Sequence, residues 1–462
     1  MKLFGQSFTN KKPTANRFLL KRYLKFSSAL LVVTSTISGY AYSEVSTLKF
    51  VDLSMAISQT ISLHPELKVF ANQAERYKGY AQQASIQSRP EIGLTIEDAL
   101  GTGDHSGFKS AQSTLSISWV LDNSLVKSRV ANAKVQGSTV ALEREIKALD
   151  LAAQTARYFI QVLVNEERLK LAKMSLNQAI KSFEAVTKRV KAGKSSLVDK
   201  LKSQAEVAKK ELVVEDLTHE VDASKYQLLA QWQGQGQSEQ HKETNIIGSL
   251  LSLPHLPLTN STDVDSLFTH LKQLPSVSLF ATKHRIAQSE IELARIETKP
   301  LWKFSTGLRR YETTDDFGLV AGISIPFGDA NQNEGQIRAL RASQSELATE
   351  SQALVHKLNT QLYVLIEQMK RSQHVIHAVT EKVIPVLEQA FEQAEKAYKA
   401  GMYSYTEWMN TQQELLNAQS DLIGAYQNAH LNNIEIERLT GTSLFAINKA
   451  SNAPFNKTSN EK

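Results

Sequence analysis

Residues 302–309 read WKFSTGLR, and larger apolar residues alternate there with polar or small ones. The same alternation recurs in IGLTIE at residues 92–97, LSISWVL at 115–121 and LVAGISIPF at 319–327. A period of two residues places one apolar and one polar face on a β-strand. With their flanking residues the runs extend over about 8–11 residues, the length of a tilted strand that crosses an outer membrane. The sequence therefore predicts four membrane strands in two pairs.

The two strand pairs belong to an internal duplication. The tripeptide Lys191-Ala192-Gly193 recurs 208 residues later as Lys399-Ala400-Gly401, and Gln204 matches Gln412 at the same offset. Each half has the same order of elements: a helix, two strands, a very long helical stretch, a turn centred on glycine and a returning helix. A plan repeated in this way indicates one structural unit that is used twice.

The duplication divides the chain into five predicted segments. These are an export signal at residues 1–43, a first repeat at 44–234, a polar linker at 235–263, a second repeat at 264–441 and a tail at 442–462. The signal is predicted from a basic stretch followed by an apolar run with small residues. A membrane anchor is the alternative, but the apolar run is shorter than the ~20 residues that span a bilayer.

Residues 124–192 and 331–400 are the two long helical stretches. At ~1.5 Å per residue, roughly 70 residues extend about 100 Å, which is longer than any compact core needs. Apolar and small residues recur at heptad-like spacing from Ile146 to Leu163, which is typical of coiled-coil packing. Pro385 predicts a kink or break in the second stretch. Returning helices, each expected to end at a glycine, are predicted at residues 197–232 and 405–439.

Composition excludes several classes of function. The formal net charge is +6, but seven positive residues lie before residue 26, so the charge does not indicate nucleic-acid binding. The chain has no cysteine, which excludes disulfides, a thiol nucleophile and thiolate metal ligands. The sequence has no phosphate loop, zinc-hydrolase motif or nucleophile elbow. We therefore expect a protein that is not an enzyme and needs no cofactor.

Four membrane strands cannot close a barrel, because an open sheet edge in lipid would leave backbone groups unpaired. The chain must therefore share strands with copies of itself. Two copies supply eight strands, a barrel whose interior is largely filled by side chains, whereas three supply twelve, which can stay open. Because a conduit needs an open barrel, the sequence favours a homotrimer.

Two further motifs resemble a known family. The sequence IPVLEQA at residues 384–390 is followed by YKAGMYSYTE at 398–407. In combination with the duplication, these motifs resemble the TolC-type outer-membrane efflux family. The resemblance implies a mainly α fold with membrane β-strands: a trimeric twelve-stranded outer-membrane barrel, four strands per chain, continued by a long periplasmic α-helical barrel. It also implies a passive exit duct in outer-membrane lipid that docks to a periplasmic membrane-fusion adaptor and an inner-membrane RND-type pump.

One short stretch of the sequence bears on what the protein exports. Residues 90–98 read PEIGLTIED and resemble the start of the first strand in the heavy-metal, CzcC-like branch of the family. The resemblance therefore implies metal ions or small toxic compounds as substrates. The exit channel of a type I protein secretion system is the alternative within the family, and a periplasmic coiled-coil tether without a pore is the alternative outside it.

The glycine turns are the candidate docking sites. Gly193 and Gly401 allow the chain to reverse at the far end of the helices, and the resemblance implies that these tips meet the adaptor. The candidate docking residues are Lys191, Ala192, Gly193, Lys194 and Ser195 in the first half, and Lys399, Ala400, Gly401, Met402 and Tyr403 in the second. The simpler interpretation is that both glycines only end a helix.

The resemblance also implies a ring of carboxylates at the periplasmic entrance, just after the tips. Asp199 and Glu407 occupy the matching positions, whereas Lys202 and Asn410 stand where a second carboxylate is expected. Three like charges around a constriction would repel each other and attract cations. A solvated helix surface is the alternative. His374 and His377 have a spacing that can hold a metal, but no third ligand is evident, so no metal site is predicted.

Overall fold

The computed structural model describes residues 50–233, 244–252, 267–328 and 331–441. The predicted export signal, the tail, Gly234 and most of the predicted linker lie outside these residues.

The first half contains three strands, five α-helices and one 3-10 helical turn (Gly103–His105) within the described residues. The strands are β1 (Phe50–Val51), β2 (Glu91–Glu97) and β3 (Gln112–Leu121), and the helices are α1 (Leu53–Leu63), α2 (Pro65–Ala84), α3 (Asn123–Gln136), α4 (Thr139–Lys191) and α5 (Leu197–Leu229). At ~1.5 Å per residue, α4 alone extends about 80 Å.

The second half repeats this order. Its strands are β4 (Asn245–Ile246), β5 (Trp302–Tyr311) and β6 (Asp316–Ser324). Its helices are α6 (Pro275–Glu297), α7 (Glu334–Ala378), α8 (Ile384–Ala400) and α9 (Tyr405–Thr440), with a π-helical segment (Val379–Val383) between α7 and α8.

The four predicted membrane strands form one antiparallel sheet in the order β2-β3-β5-β6. Strand β3 pairs with β5 over its whole length, from Gln112 opposite Tyr311 to Leu121 opposite Trp302. The two hairpins are therefore joined through their central strands, although nearly two hundred residues separate them in sequence. The sheet has two outer strands, β2 and β6, available for pairing beyond this chain.

The core lies along α4, which packs against both returning helices, α5 and α9. Its buried face is rich in alanine, including Ala152, Ala153 and Ala156, which lets the neighbouring helices approach closely. Larger side chains such as Phe159 and Leu228 complete the same cluster. The coiled-coil packing predicted from the heptad-like spacing is thereby realised around one central helix.

Part of the predicted linker packs into this core. Strand β4 pairs in parallel with β1, and Leu250 is buried. A Cβ atom on Gly248 would lie 3.0 Å from Leu163 Cδ1 on α4, so the backbone there lies directly on the helix. Residues 244–252 are thus a structured element, and not part of a linker as the sequence predicted.

The structure corrects four predicted boundaries. The first long helix is divided at Gly137, where the chain passes so close to α2 that a Cβ atom would lie 3.0 Å from Tyr77 Cβ. The first returning helix ends at Leu229 instead of residue 232. Strand β6 ends at Ser324, because Pro326 has no N–H to donate. The second long helix stays helical through Pro385 but changes to π-helical hydrogen bonding just before it, which accommodates the lost donor.

Candidate functional site

One face of the sheet is a continuous apolar surface. The register places Ile92 opposite Ile117, Trp119 opposite Phe304, and Leu308 opposite Leu319, so large apolar side chains meet across every strand pair. They remain exposed: 77% for Ile92 and 87% for Leu319. A water-soluble monomer rarely exposes such a surface, whereas lipid-facing strands require it.

The opposite face of the sheet is polar and crossed by hydrogen bonds. Arg309 on β5 donates to Thr114 Oγ1 (2.9 Å), Gln112 Oε1 (2.9 Å) and Glu97 Oε2 (2.7 Å), and so spans three strands. Near the other end, Lys303 Nζ lies 2.6 Å from Glu91 Oε2. Each basic side chain is paired, so this face presents polar groups without a strong excess of one charge.

Two glycines allow close contact on the polar face. A Cβ atom on Gly307 would lie 2.7 Å from the Leu115 carbonyl oxygen and 3.0 Å from Ser116 Cα. A Cβ atom on Gly322 would lie 2.8 Å from Ser305 Oγ. Small residues and hydroxyls therefore occupy the centre of this face, which leaves room for water beside it. Among the described helices, none combines the length and the apolar character needed to cross a membrane.

The second candidate site is at the far end of the long helices. Gly193 and Gly401 have φ values of +68° and +85°, the left-handed conformation that glycine adopts without a Cβ penalty. Behind each glycine the chain enters a returning helix. Residues 188–202 form the first tip, and residues 396–410 form the second tip.

Arg189 joins the two tips. Its Nη1 atom donates to the carbonyl oxygens of Tyr398 (2.6 Å) and Lys399 (3.0 Å) in the second tip. Its Nη2 atom donates to the Lys194 carbonyl oxygen (3.2 Å) in the first. The guanidinium also lies 4.8 Å from the centre of the Tyr398 ring. One side chain thus holds the last carbonyls of α8 and the turn after α4 in a single arrangement.

An aromatic cluster underlies this junction. The Tyr398 and Trp408 rings are stacked with centroids 4.8 Å apart, and Tyr405 meets each of them at 6.5 Å. All three are buried. Burial, with a smaller contribution from the Glu206 charge, raises the pKa of Tyr405 to about 12. The second tip is therefore held by a packed aromatic core, and the Tyr405 hydroxyl in that core stays neutral at physiological pH.

The two predicted entrance carboxylates each close a helix cap. The Asp199 backbone N–H donates to Ser196 Oγ (3.1 Å), and the Ser196 N–H donates back to Asp199 Oδ2 (3.2 Å). Ser404 and Glu407 make the same reciprocal pair at 3.2 and 2.8 Å. The spacing Ser-x-x-Asp or Ser-x-x-Glu is the capping-box signature, which the sequence displayed and the sequence analysis did not use.

The caps keep both carboxylates ionised. Partial burial raises the pKa of Asp199, but hydrogen bonds from Ser196 and Ser195 outweigh it and leave the pKa below its usual value. The backbone N–H of Ser404 lowers the pKa of Glu407. Whatever ring they form in an assembly, these carboxylates already stabilise the first turns of α5 and α9.

These caps give a pH prediction. A carboxyl with a lowered folded-state pKa stabilises the fold above its unfolded value of about 4, and the contribution is lost as pH falls through the lowered pKa. We therefore expect residues 196–202 and 404–410 to exchange amide hydrogens faster below about pH 4, after correction for intrinsic rates. In the variants Ser196→Ala and Ser404→Ala, the amides of the altered helix start should exchange faster already at neutral pH, and their exchange should depend less on acid. Equal protection at both pH values would contradict the prediction.

Three further candidate residues, Lys202, His377 and Asn410, lie on α5, α7 and α9. Lys202 and Asn410 line one groove of about 400 Å³ between α5 and α9, together with Tyr405. His377 Nδ1 on α7 lies 2.9 Å from Oε1 of Glu381 in the π-helical segment that follows. Within the part of the chain that the structure describes, no group of three or more His, Asp or Glu side chains could hold a metal ion.

Comparison with known proteins supports this geometry. The model of the family described as outer membrane efflux protein matches residues 56–232 and 270–442. The chain is 26% identical over 343 residues to the cobalt-zinc-cadmium resistance protein CzcC of Cupriavidus metallidurans, covering 74% of this chain and 78% of that protein.

Two solved structures share the fold. CusC, which was crystallised in a study of folding and transmembrane channel formation, superposes with a TM-score of 0.67 at 14% identity, over 85% of this chain and 93% of that one. The outer-membrane protein VceC of Vibrio cholerae gives 0.66 at 16% identity, over 84% and 96%. The fold class predicted from the sequence, a mainly α chain that contributes four strands to a membrane barrel continued by a helical barrel, is confirmed.

Proposed function

Because this chain belongs to the outer membrane efflux protein family, we propose that it forms the exit duct through which a tripartite system expels heavy-metal ions. The chain is an outer-membrane channel subunit whose helical part lies in the periplasm. Transport through such a duct is passive, and an inner-membrane pump supplies the energy. The metal cargo is supported by the likeness to a cobalt-zinc-cadmium resistance protein, which extends over three quarters of the chain.

The amphipathic sheet is the observation on which the channel depends. Its apolar face suits lipid, and its polar face, with small residues around Gly307 and Gly322, suits water. β2 and β6 are outer strands whose free edges must be paired in a membrane. Three copies would close the sheet into twelve strands with an open lumen, which supports a homotrimer.

The tips support the docking of a periplasmic membrane-fusion adaptor, and through it an RND-type pump. Both glycine turns are exposed, and Met402 beside the second turn is 76% exposed. Because Arg189 and the two caps hold the surrounding backbone, the surface is ordered before a partner binds, which lowers the entropy cost of association. Lys191–Ser195 and Lys399–Tyr403 remain the proposed contact residues. Asp199, Glu407 and Asn410 remain the proposed residues of the entrance.

The proposal is tested by deletion of the gene. We expect the strain to become sensitive to divalent ions such as cobalt, zinc and cadmium, while its sensitivity to bile salts, dyes and antibiotics stays unchanged. The full-length protein expressed from a plasmid should restore resistance. If the strain instead became sensitive to many organic compounds, the cargo would be small toxic molecules and not metal ions. Unchanged sensitivity with loss of a secreted protein would instead favour the type I secretion channel.

The duct itself is tested with purified protein. In detergent we expect a trimer, and in a planar bilayer we expect ion conductance that persists without a pump. A water-soluble monomer without conductance would contradict the channel and favour a periplasmic tether.

A further inference from the structure

The two tips differ in charge, although they occupy equivalent positions in the two halves. The first tip has six basic residues and one carboxylate, a formal charge of +5, whereas the second tip has two lysines and one carboxylate, a formal charge of +1. In a duplicated chain this difference concentrates the positive charge on one of two otherwise similar turns.

The lysines of the first tip have no ion-pair partner within the described residues. Lys188, Lys191 and Lys194 are all exposed and make no salt bridge there. The single carboxylate, Asp199, is engaged by Ser195 and Ser196, and the only cation that acts on it is the nearby Lys202. The first tip therefore presents uncompensated positive charge.

The lysines of the second tip are compensated along their own helix. Lys396 Nζ lies 2.6 Å from Glu392 Oε1, and Lys399 Nζ lies 2.7 Å from Glu395 Oε1. Each pair has the i, i+4 spacing that stabilises an isolated helix. The two tips therefore differ in available charge even more than in formal charge.

The tips also differ in where they expose apolar side chains. The second tip exposes Met402 and Tyr403 at its turn (76% and 43%), whereas the first tip exposes the helix that follows its turn. Leu197, Val198 and Leu201 on the first two turns of α5 are 62%, 56% and 57% exposed. The residue of the second tip that matches Leu197 is Tyr405, which is buried in the aromatic cluster. Leu197 and Leu201 have the i, i+4 spacing of one helix face, so the first tip combines an apolar ridge with free lysines.

Resting on the proposed function, we infer that the first tip is the principal docking surface and that its partner is a helix of a periplasmic protein with an apolar stripe flanked by carboxylates. The apolar ridge would be covered by the stripe, and the free lysines would pair with the carboxylates. Such a surface binds an amphipathic helix through anchors at i, i+3 or i+4 spacing. The second tip, whose two lysines are paired and whose Tyr398, Tyr405 and Trp408 rings are buried, then serves to hold the first tip in place through Arg189.

The experiment uses the full-length protein in detergent and a labelled helical peptide with one leucine stripe flanked by glutamates. A second peptide with glutamines in place of the glutamates is the probe control. We expect the glutamate peptide to bind more tightly, and raising the salt from about 0.1 M to about 1 M, which shortens the screening length from about 10 Å to about 3 Å, to remove the difference. The variant K188Q/K191Q/K194Q should bind the glutamate peptide about tenfold more weakly.

The matched control is K78Q/K170Q/K370Q, which removes the same number of charges from lysines that lie outside both tips and pair with a carboxylate on their own helix. It should bind as the unmodified protein does. Equal binding of both peptides, or equal effects of the two variants, would overturn the inference. A further outcome is that the protein binds vesicles of anionic lipid as tightly as it binds the glutamate peptide, and that K188Q/K191Q/K194Q loses that binding. This result would assign the first tip to a lipid surface and would also overturn the inference. Conductance in a planar bilayer, measured on every variant, separates a wrong docking surface from a wrong channel.

Discussion

Replacing Gly307 by leucine is expected to abolish the membrane form of this protein. The Cβ atom alone would lie 2.7 Å from the Leu115 carbonyl oxygen and 3.0 Å from Ser116 Cα, both on the neighbouring strand β3. Both contacts are with backbone, which cannot rotate away as a side chain can. The strands β3 and β5 would have to separate, and these are the strands that join the two hairpins.

The cost should be large because it recurs in each copy. Overpacking a tight site costs on the order of 3 kcal/mol, and a closed barrel of three chains contains the site three times. We expect loss of heat-resistant trimer on gels, loss of protein from the outer-membrane fraction and full sensitivity of the host to exported ions.

Gly93→Ala is the control for this variant. Gly93 is also on the sheet, but an added Cβ atom would lie 3.3 Å from Ser116 Oγ, a hydroxyl that can rotate. The alanine variant should assemble and export normally. Normal assembly of Gly307→Leu would show that β3 and β5 do not approach as closely in the membrane as they do here.

Replacing Arg189 by alanine is expected to separate the two tips while leaving the barrel intact. Three carbonyl oxygens, those of Lys194, Tyr398 and Lys399, would lose the guanidinium as a donor, although the Tyr398 oxygen would keep the Gly401 N–H. The Tyr398 ring would also lose the cation beside it. A hydrogen bond with a charged partner contributes about 1.5–3 kcal/mol, so the local cost is on the order of 2 kcal/mol after solvent replaces part of the contacts.

We expect normal amounts of trimer in the outer membrane, faster amide exchange at residues 190–195 and 398–403, and at least a tenfold loss of export activity. Arg189→Lys should restore little of the export activity, because an ammonium group cannot donate to three carbonyl oxygens with the geometry of a guanidinium. Arg338→Ala removes an exposed arginine from α7, 3.8 Å from Glu334, and should change none of these measurements. Full export by Arg189→Ala would mean that the junction has no part in docking or opening.

The sequence by itself determined those features that depend on spacing along the chain. Alternation at a period of two set the faces of the four strands, because successive side chains point to opposite sides. The matching triplets at Lys191 and Lys399 revealed the duplication, and both glycines adopt the left-handed conformation expected of a helix end. The capping boxes at Ser196 and Ser404 belong to the same class, because each serine and its carboxylate partner are only three residues apart in sequence.

Only the tertiary structure decided which distant segments meet. Arg189 finds acceptors 209 and 210 residues further along the chain. Strand β3 of the first repeat pairs with β5 of the second, and a stretch predicted as a linker buries Leu250 in the cluster along α4. No local pattern marks such contacts, because each depends on where two elements lie after the helices have packed. The periodicity of the sequence determines which face of a helix or strand is apolar. Which element packs against that face depends on complementary shape and charge in the folded chain.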